Sequence, residues 1–159
     1  MSVPPPKRWH TREDSGIRLD RELHWWHDDE RVEHPKIIET FNTGLVPTDD
    51  GRFRLQVGED WCFVQVEEAA YGVLAIDPSE DSVSLRLSDR TAERLVPATL
   101  AMDSSGVLLC QVKQGRAKAR FTRDAQFALG SLIEKTSEGA LLRVGDAWVA
   151  LPALSWPEG

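Results

Sequence analysis

His24-Trp25-Trp26-His27, followed at once by Asp28-Asp29-Glu30 and then by His34, is the densest gathering of chemistry-bearing side chains in the sequence. Imidazoles beside carboxylates bind metal ions or relay protons. The set here would be His27 and His34 with one of Asp28, Asp29 or Glu30, and the chemistry a metal-dependent hydrolysis. Spacing argues against part of that reading. On a strand, His24 and His27 lie an odd number of positions apart and face opposite sides. No HxH or HExxH pattern occurs, and a working site needs ligands that converge, each imidazole fixed by a partner. The sequence better supports one histidine bracing a helix start while the tryptophans pack a core. No metal ligand, cofactor or catalytic residue is assigned on these grounds.

Arg116, Lys118 and Arg120 alternate with Ala117, Ala119 and Phe121. On a strand this puts three cations on one face and an apolar row on the other. Lys113 and Arg123 flank the run, and Thr122 suits a helix N-cap, where free backbone N–H groups attract anions. The chemistry would be contact with a phosphate or carboxylate. The plainer reading is a solvated strand face that offsets an acidic protein. It is nevertheless the one basic concentration in a chain of formal charge −7. Lys113, Arg116, Lys118 and Arg120 are therefore the candidate partners of an anionic ligand.

Other groups carry less. Glu67 and Glu68 are adjacent, so on a strand they point apart and cannot share a proton. Ser104-Ser105-Gly106 and Gly72 lack the strand-then-helix setting of a phosphate loop. Cys62 sits in an apolar strand, which raises a thiol pKa and leaves it unreactive. Core packing accounts for the six tryptophans before base stacking does.

These residues must be positioned by elements, and the elements recur. Leu55-Gln56-Val57-Gly58-Glu59-Asp60-Trp61 returns as Leu142-Arg143-Val144-Gly145-Asp146-Ala147-Trp148. Upstream of each copy lies a hairpin, opening at Gly16 or Gly106, and then a short amphipathic helix. A repeat of this kind sets architecture before any single residue does. Ile17 to Asp20 and Leu23 to His27 read as paired strands. Pro35 opens a helix whose buried face is Ile37, Ile38, Phe41 and Leu45, with Gly44 to close it. Strands follow at Phe53 to Val57, around Phe63, and from Tyr71 to Ile76. Asp77-Pro78-Ser79-Glu80-Asp81 breaks the pattern. The second half has a strand at Val83 to Leu87, an ambiguous stretch from Thr91 to Met102, and paired strands from Val107 to Phe121. A helix then carries Ala125, Ala128, Leu129, Leu132 and Ile133, and a closing hairpin spans Leu141 to Leu151.

The expected fold is α+β: two tandem repeats of β-hairpin, short helix and antiparallel strands, residues 16–78 and 79–152, packed as one unit. A flexible arm, 1–15, precedes them and a tail, 153–159, follows. At 159 residues each repeat is too small to bury its helix alone.

The order Trp25-x-His27, Val32, a helix with Phe41, Leu55 and Val66-Glu67-Glu68-Ala69-Ala70-Tyr71 resembles an uncharacterised bacterial family of duplicated α+β proteins. That family carries only a domain-of-unknown-function label. Val112-Lys113-Gln114-Gly115 before a helix resembles its Val-Arg-x-Gly segment, and the similarity runs from Gly16 to Leu151. The resemblance implies a duplicated core, a second half distantly like pleckstrin-homology domains, and a site between the halves for a nucleotide-like ligand with a signalling role. Two positions depart from the pattern. His34 stands where an Arg is usual, and Val57-Gly58-Glu59-Asp60-Trp61 replaces a Thr-Pro-Val-Glu-Lys-like stretch, with only Asp60 keeping the carboxylate.

Composition bounds the function. Hydrophobic residues at 41% and charged ones at 28% are ordinary for a globular chain. The charge of −7 opposes general binding to nucleic acid or to an anionic membrane, and no apolar run approaches a bilayer span. The N-terminus lacks a secretory-type apolar stretch. Two widely spaced cysteines, Cys62 and Cys110, read as reduced thiols of a cytoplasmic protein, with a disulfide the less favoured alternative. The expected function is a non-enzymatic ligand-binding or signalling module. It holds an anionic, nucleotide-like molecule between its repeats, with Trp25, His27, His34 and Asp60 beside the four cations. The alternatives are a protein-interaction module and a hydrolase using His27 and His34.

Overall fold

The computed structural model describes residues 10–152. The expected tail and residues 1–9 of the expected arm lie outside the described residues. The chain forms two compact units, Met1–Glu67 and Glu68–Gly159.

In the first unit Asp20 organises the opening hairpin. Its carboxylate accepts the backbone N–H groups of Glu22 (2.9 Å) and His24 (2.8 Å) and the indole N–H of Trp26 (2.9 Å). Burial works to raise the Asp20 pKa, but these hydrogen bonds win and hold it below the ordinary value. The turn brings β1 (Ile17–Leu19) antiparallel to β2 (Trp25–His27), and β2 pairs in turn with β3 (Glu30–Arg31). After α1 (Pro35–Gly44) come β4 (Leu45–Pro47), β5 (Phe53–Val57) and β6 (Asp60–Val66). The sheet runs β3-β2-β1-β6-β5-β4, with β1 and β6 parallel. Its inward face is apolar: Leu19, Trp25, Leu45, Leu55 and Val64 are buried.

The second unit builds the same arrangement from β7 (Tyr71–Pro78), β8 (Val83–Leu87), β9 (Ala92–Arg94), β10 (Ala101–Met102), β11 (Leu108–Val112) and β12 (Ala117–Phe121). The order is β10-β11-β12-β7-β8-β9, with β7 and β12 parallel. Each sheet is thus two three-stranded meanders whose first and last strands lie side by side. In the first unit α1 connects the meanders; in the second a single 3-10 turn, Pro97–Thr99, does so. The match of strand order suggests a duplicated unit. Beyond it lie α2 (Arg123–Gly130) and a three-stranded sheet of β13 (Ile133–Thr136), β14 (Gly139–Val144) and β15 (Ala147–Ala150).

Among the described residues the structure is mostly sheet with two α-helices, broadly consistent with α+β, and it differs from the expected repeat in detail. The boundary falls at Glu67/Glu68 and not after Pro78, because β7 pairs with β8 and β12. The recurring Leu-to-Trp segments occupy β5–β6 and β14–β15, which are not equivalent in the two units. They look alike because each is a two-residue hairpin with a positive-φ glycine, Gly58 (62°) or Gly145 (60°), at its first central position.

The helices are shorter and less buried than their spacing implied. Leu45 begins β4 and Ile37 is 43% exposed. The second helix stops at Gly130, so Leu132 and Ile133 fall beyond it. Thr122 is its N-cap, accepting the Ala125 N–H at 3.2 Å. Gln126 ties it to the β10–β11 turn, accepting from Leu108 N (2.9 Å) and donating to Gly106 O (2.8 Å).

Candidate functional site

The parallel seam between β1 and β6 opens a groove of about 600 Å³ in the first unit. It arises because β6 changes partners along its length: Asp60 to Val64 pair with β5, while Gln65 and Val66 pair with β1. Ile17, Phe53, Val64 and Val66 give it an apolar lining, and Arg18, Arg52, Glu13, Asp14, Asp28 and Asp29 supply charge of both signs. The segment before β1 forms one wall and is pinned to β6. Phe63 N–H donates to the Arg12 carbonyl at 2.7 Å, and the buried Ser15 hydroxyl donates to the Phe63 carbonyl at 2.7 Å.

The outward face of this sheet stacks guanidinium groups on aromatic rings. Arg18 lies 4.7 Å from the Trp26 ring centre, Arg52 3.7 Å from Phe63, and Arg12 4.7 Å from Trp61. Such contacts hold a flexible cation in one orientation. Arg52 also donates from Nε to Asp50 (2.9 Å) and from NH1 to Glu13 (2.9 Å), and Arg18 approaches Glu67 at 3.4 Å. At one end of the β1–β2 hairpin, His10 Nε2 stands 3.1 Å from Asp28 Oδ2, and the His10 and His27 rings are 4.9 Å apart.

The expected site residues fall into both units. Trp25 is fully buried, donating its indole N–H to Asn42 Oδ1 at 2.8 Å and meeting Phe41 edge-on at 5.3 Å, so it anchors α1. His34 is the N-cap of α1, its Nδ1 accepting the Lys36 N–H at 3.2 Å. Asp60 is exposed, accepts the Trp61 N–H at 2.8 Å, and lies 3.6 Å from Arg12. His27 is exposed beside Asp28 and His10, not beside His34.

In the second unit β12 alternates as expected, with Ala117, Ala119 and Phe121 buried. Two of its candidate cations serve internal carboxylates. Lys113 Nζ donates to Asp89 Oδ2 at 2.6 Å and to Thr91 Oγ1 at 3.0 Å, and lies 5.0 Å from the Tyr71 ring centre. Arg120 stands 3.7 Å from Asp103. Arg116 and Lys118 are exposed. Burial alone would raise the Asp89 pKa, but hydrogen bonds from Lys113 and Thr91 keep it below the ordinary value. Burial raises the Tyr71 hydroxyl, with Asp89 and Glu93 adding to the effect. Burial also pushes the Cys110 thiol up to about 12 and raises that of Cys62, and both cysteines are free. Neither thiol is activated as a nucleophile.

Two functional groupings escaped sequence reasoning. His10 fell within the segment set aside as an arm, and nothing local ties it to Asp28. Part of the arginine stacking had a readable signal. Arg52, just before β5, and Arg54 within it share one parity, as do Trp61 and Phe63 along β6, and Arg54 lies 5.6 Å from the Trp61 ring centre.

The fold is shared with two DUF1285 family proteins. One, from Silicibacter pomeroyi DSS-3, is 16% identical with a TM-score of 0.65, over 87% of this chain and 80% of its own. The other, from Shewanella baltica OS155, is 13% identical with a TM-score of 0.55, over 74% of this chain and 91% of its own. At that identity the likeness establishes fold alone, and it is consistent with the expected domain-of-unknown-function family while leaving the pleckstrin-homology-like second half unsupported. No protein-family model matches the chain, and no curated protein does. No helix among the described residues is long and apolar enough to cross a membrane.

Proposed function

We propose that this protein is a non-enzymatic binding module, of use in sensing or signalling, whose small polar ligand occupies the groove at the β1–β6 seam. The observation that carries this reading is the groove itself: about 600 Å³, the size of a small-molecule site, with a mostly polar lining that carries charge of both signs. At the expected anion-binding strand Lys113 and Arg120 face Asp89 and Asp103. At the groove Arg18 and Arg52 likewise face Glu67, Asp50 and Glu13, so what favours the groove is its concavity. Arg18 and Arg52, lying over the Trp26 and Phe63 rings, would meet the anionic group of a ligand. Asp14 and Asp29 would meet a cationic one. A compact molecule bearing both charges, such as an amino-acid-like or aminated phosphate compound, fits this lining better than a plain polyanion.

A thermal-shift panel of nucleotides, sugar phosphates, amino acids and polyamines tests the proposal. A ligand at a hundredfold excess over its dissociation constant adds about 2.7 kcal/mol to stability. Gln65 is exposed, lines the groove and pairs with Arg18. Gln65→Trp should fill the groove and abolish the shift while leaving the unliganded melting temperature nearly unchanged. A shift that survives this substitution places the ligand elsewhere. A flat panel favours the protein-interaction alternative, for which Phe127, 82% exposed on α2, is an apolar anchor.

A further inference from the structure

We infer that His10, His27 and Asp28 form a site for one divalent first-row transition-metal ion of the zinc, cobalt or nickel kind. Each offers one ligand atom, and the three atoms lie within 4.8 Å of one another. Metal bonds of about 2.0–2.2 Å set neighbouring donors about 3–3.5 Å apart. His10 Nε2 and Asp28 Oδ2 already have that spacing, at 3.1 Å. Small rotations of the exposed imidazoles close the rest.

The backbone prepares the arrangement. Asp28 has φ 53°, a left-handed conformation uncommon outside glycine, and its N–H donates to the Gly16 carbonyl at 2.7 Å. That bond fixes the carboxylate at the hairpin end, next to His27. Gly16 has φ 73°. A Cβ there would run into the Asp28 carboxylate and come within 2.8 Å of the His10 ring. Glycine is therefore the residue that lets the two side chains close over this point. His10 arrives on the segment that Arg12 and Ser15 bind to β6, so the ligand most distant in sequence is also tethered.

The donor set selects the cation. Two imidazoles with one carboxylate suit zinc, cobalt or nickel, whereas magnesium and calcium take oxygen ligands. Three protein donors leave coordination positions open to water or to a ligand group. Asp28 also lines the groove, where among the described residues four carboxylates (Glu13, Asp14, Asp28, Asp29) outnumber two guanidiniums (Arg18, Arg52). A divalent cation there offsets the excess negative charge. The inference does not depend on the groove holding an organic ligand.

Isothermal titration of the tag-free full-length chain with zinc chloride tests it. The expected result is one zinc ion per chain, with no competition from magnesium. His10→Ala and Asp28→Asn should each weaken binding by more than about 100-fold, beyond the 10–100-fold that loss of an outer partner costs. Asparagine tolerates left-handed φ, so Asp28→Asn should keep the wild-type circular dichroism spectrum and melting temperature. His24→Ala should bind zinc as the parent does, and so should Gln65→Trp, which separates this site from the groove proposal. Zinc binding weaker than about 1 mM, parental affinity in both ligand variants, or loss of affinity in His24→Ala would each overturn the assignment.

Discussion

Single polar side chains hold several joints of this protein, and Trp25 is the clearest. Its ring fills the first core, yet its indole N–H needs an acceptor, and Asn42 on α1 supplies one at 2.8 Å. Asn42→Ala leaves a buried donor unsatisfied, at a cost of about 1–3 kcal/mol. Urea unfolding should show the midpoint falling with little change in slope; an unchanged midpoint would mean that water replaces the amide. His34 acts at the same scale. Its ring caps α1, a role that explains a histidine at this position without chemistry. The spacing around Trp25 and His27 showed that a tryptophan would pack a core and a histidine brace a helix. It did not show which histidine, because partners are chosen across the fold.

Between elements, α1 approaches the backbone of β5 closely at Gly44. Gly44 ends the helix without a positive φ, so its role is space, not the left-handed cap that the sequence invited. A Cβ on Gly44 would collide with the Gln56 carbonyl of β5, which is backbone and cannot swing aside. Gly44→Ala should cost about 1–3 kcal/mol by overpacking, read as a lowered melting temperature. Gly51 makes the contrast. Nothing lies within 4 Å of its missing Cβ, but its φ is 85°, so Gly51→Ala should lose only about 1–2 kcal/mol of conformational strain. Equal loss at a third, unstrained and open glycine would contradict both assignments.

For the molecule entire, acidity governs how stability depends on pH. Twenty-six acidic residues stand against nineteen basic ones, and Asp20, Asp50 and Asp89 all titrate below their ordinary value. A carboxyl whose folded pKa is depressed binds its proton more readily when unfolded. Its stabilising share is full above about pH 4 and is lost as pH falls through the lower folded value. Melting temperature should therefore fall on acidification below about pH 4. In Asp89→Asn the acid loss should be smaller and neutral-pH stability lower, because Lys113 loses its 2.6 Å partner. A parental acid limb in that variant would remove Asp89 from the account.

The sequence by itself determined what lies within a few residues. The buried-exposed alternation of β12, the Thr122 cap, the proline at the start of α1 and the glycine hairpins all follow from local geometry. Tertiary structure alone decided the partners. Arg18 meets Gln65, Ala119 meets Tyr71, Lys113 meets Asp89, and His10 meets Asp28. Local propensity carries no information about such pairings. They are chosen when whole apolar faces are buried together. For the same reason, two segments with one turn chemistry could look like a structural repeat while the matching strand orders were not visible in the sequence.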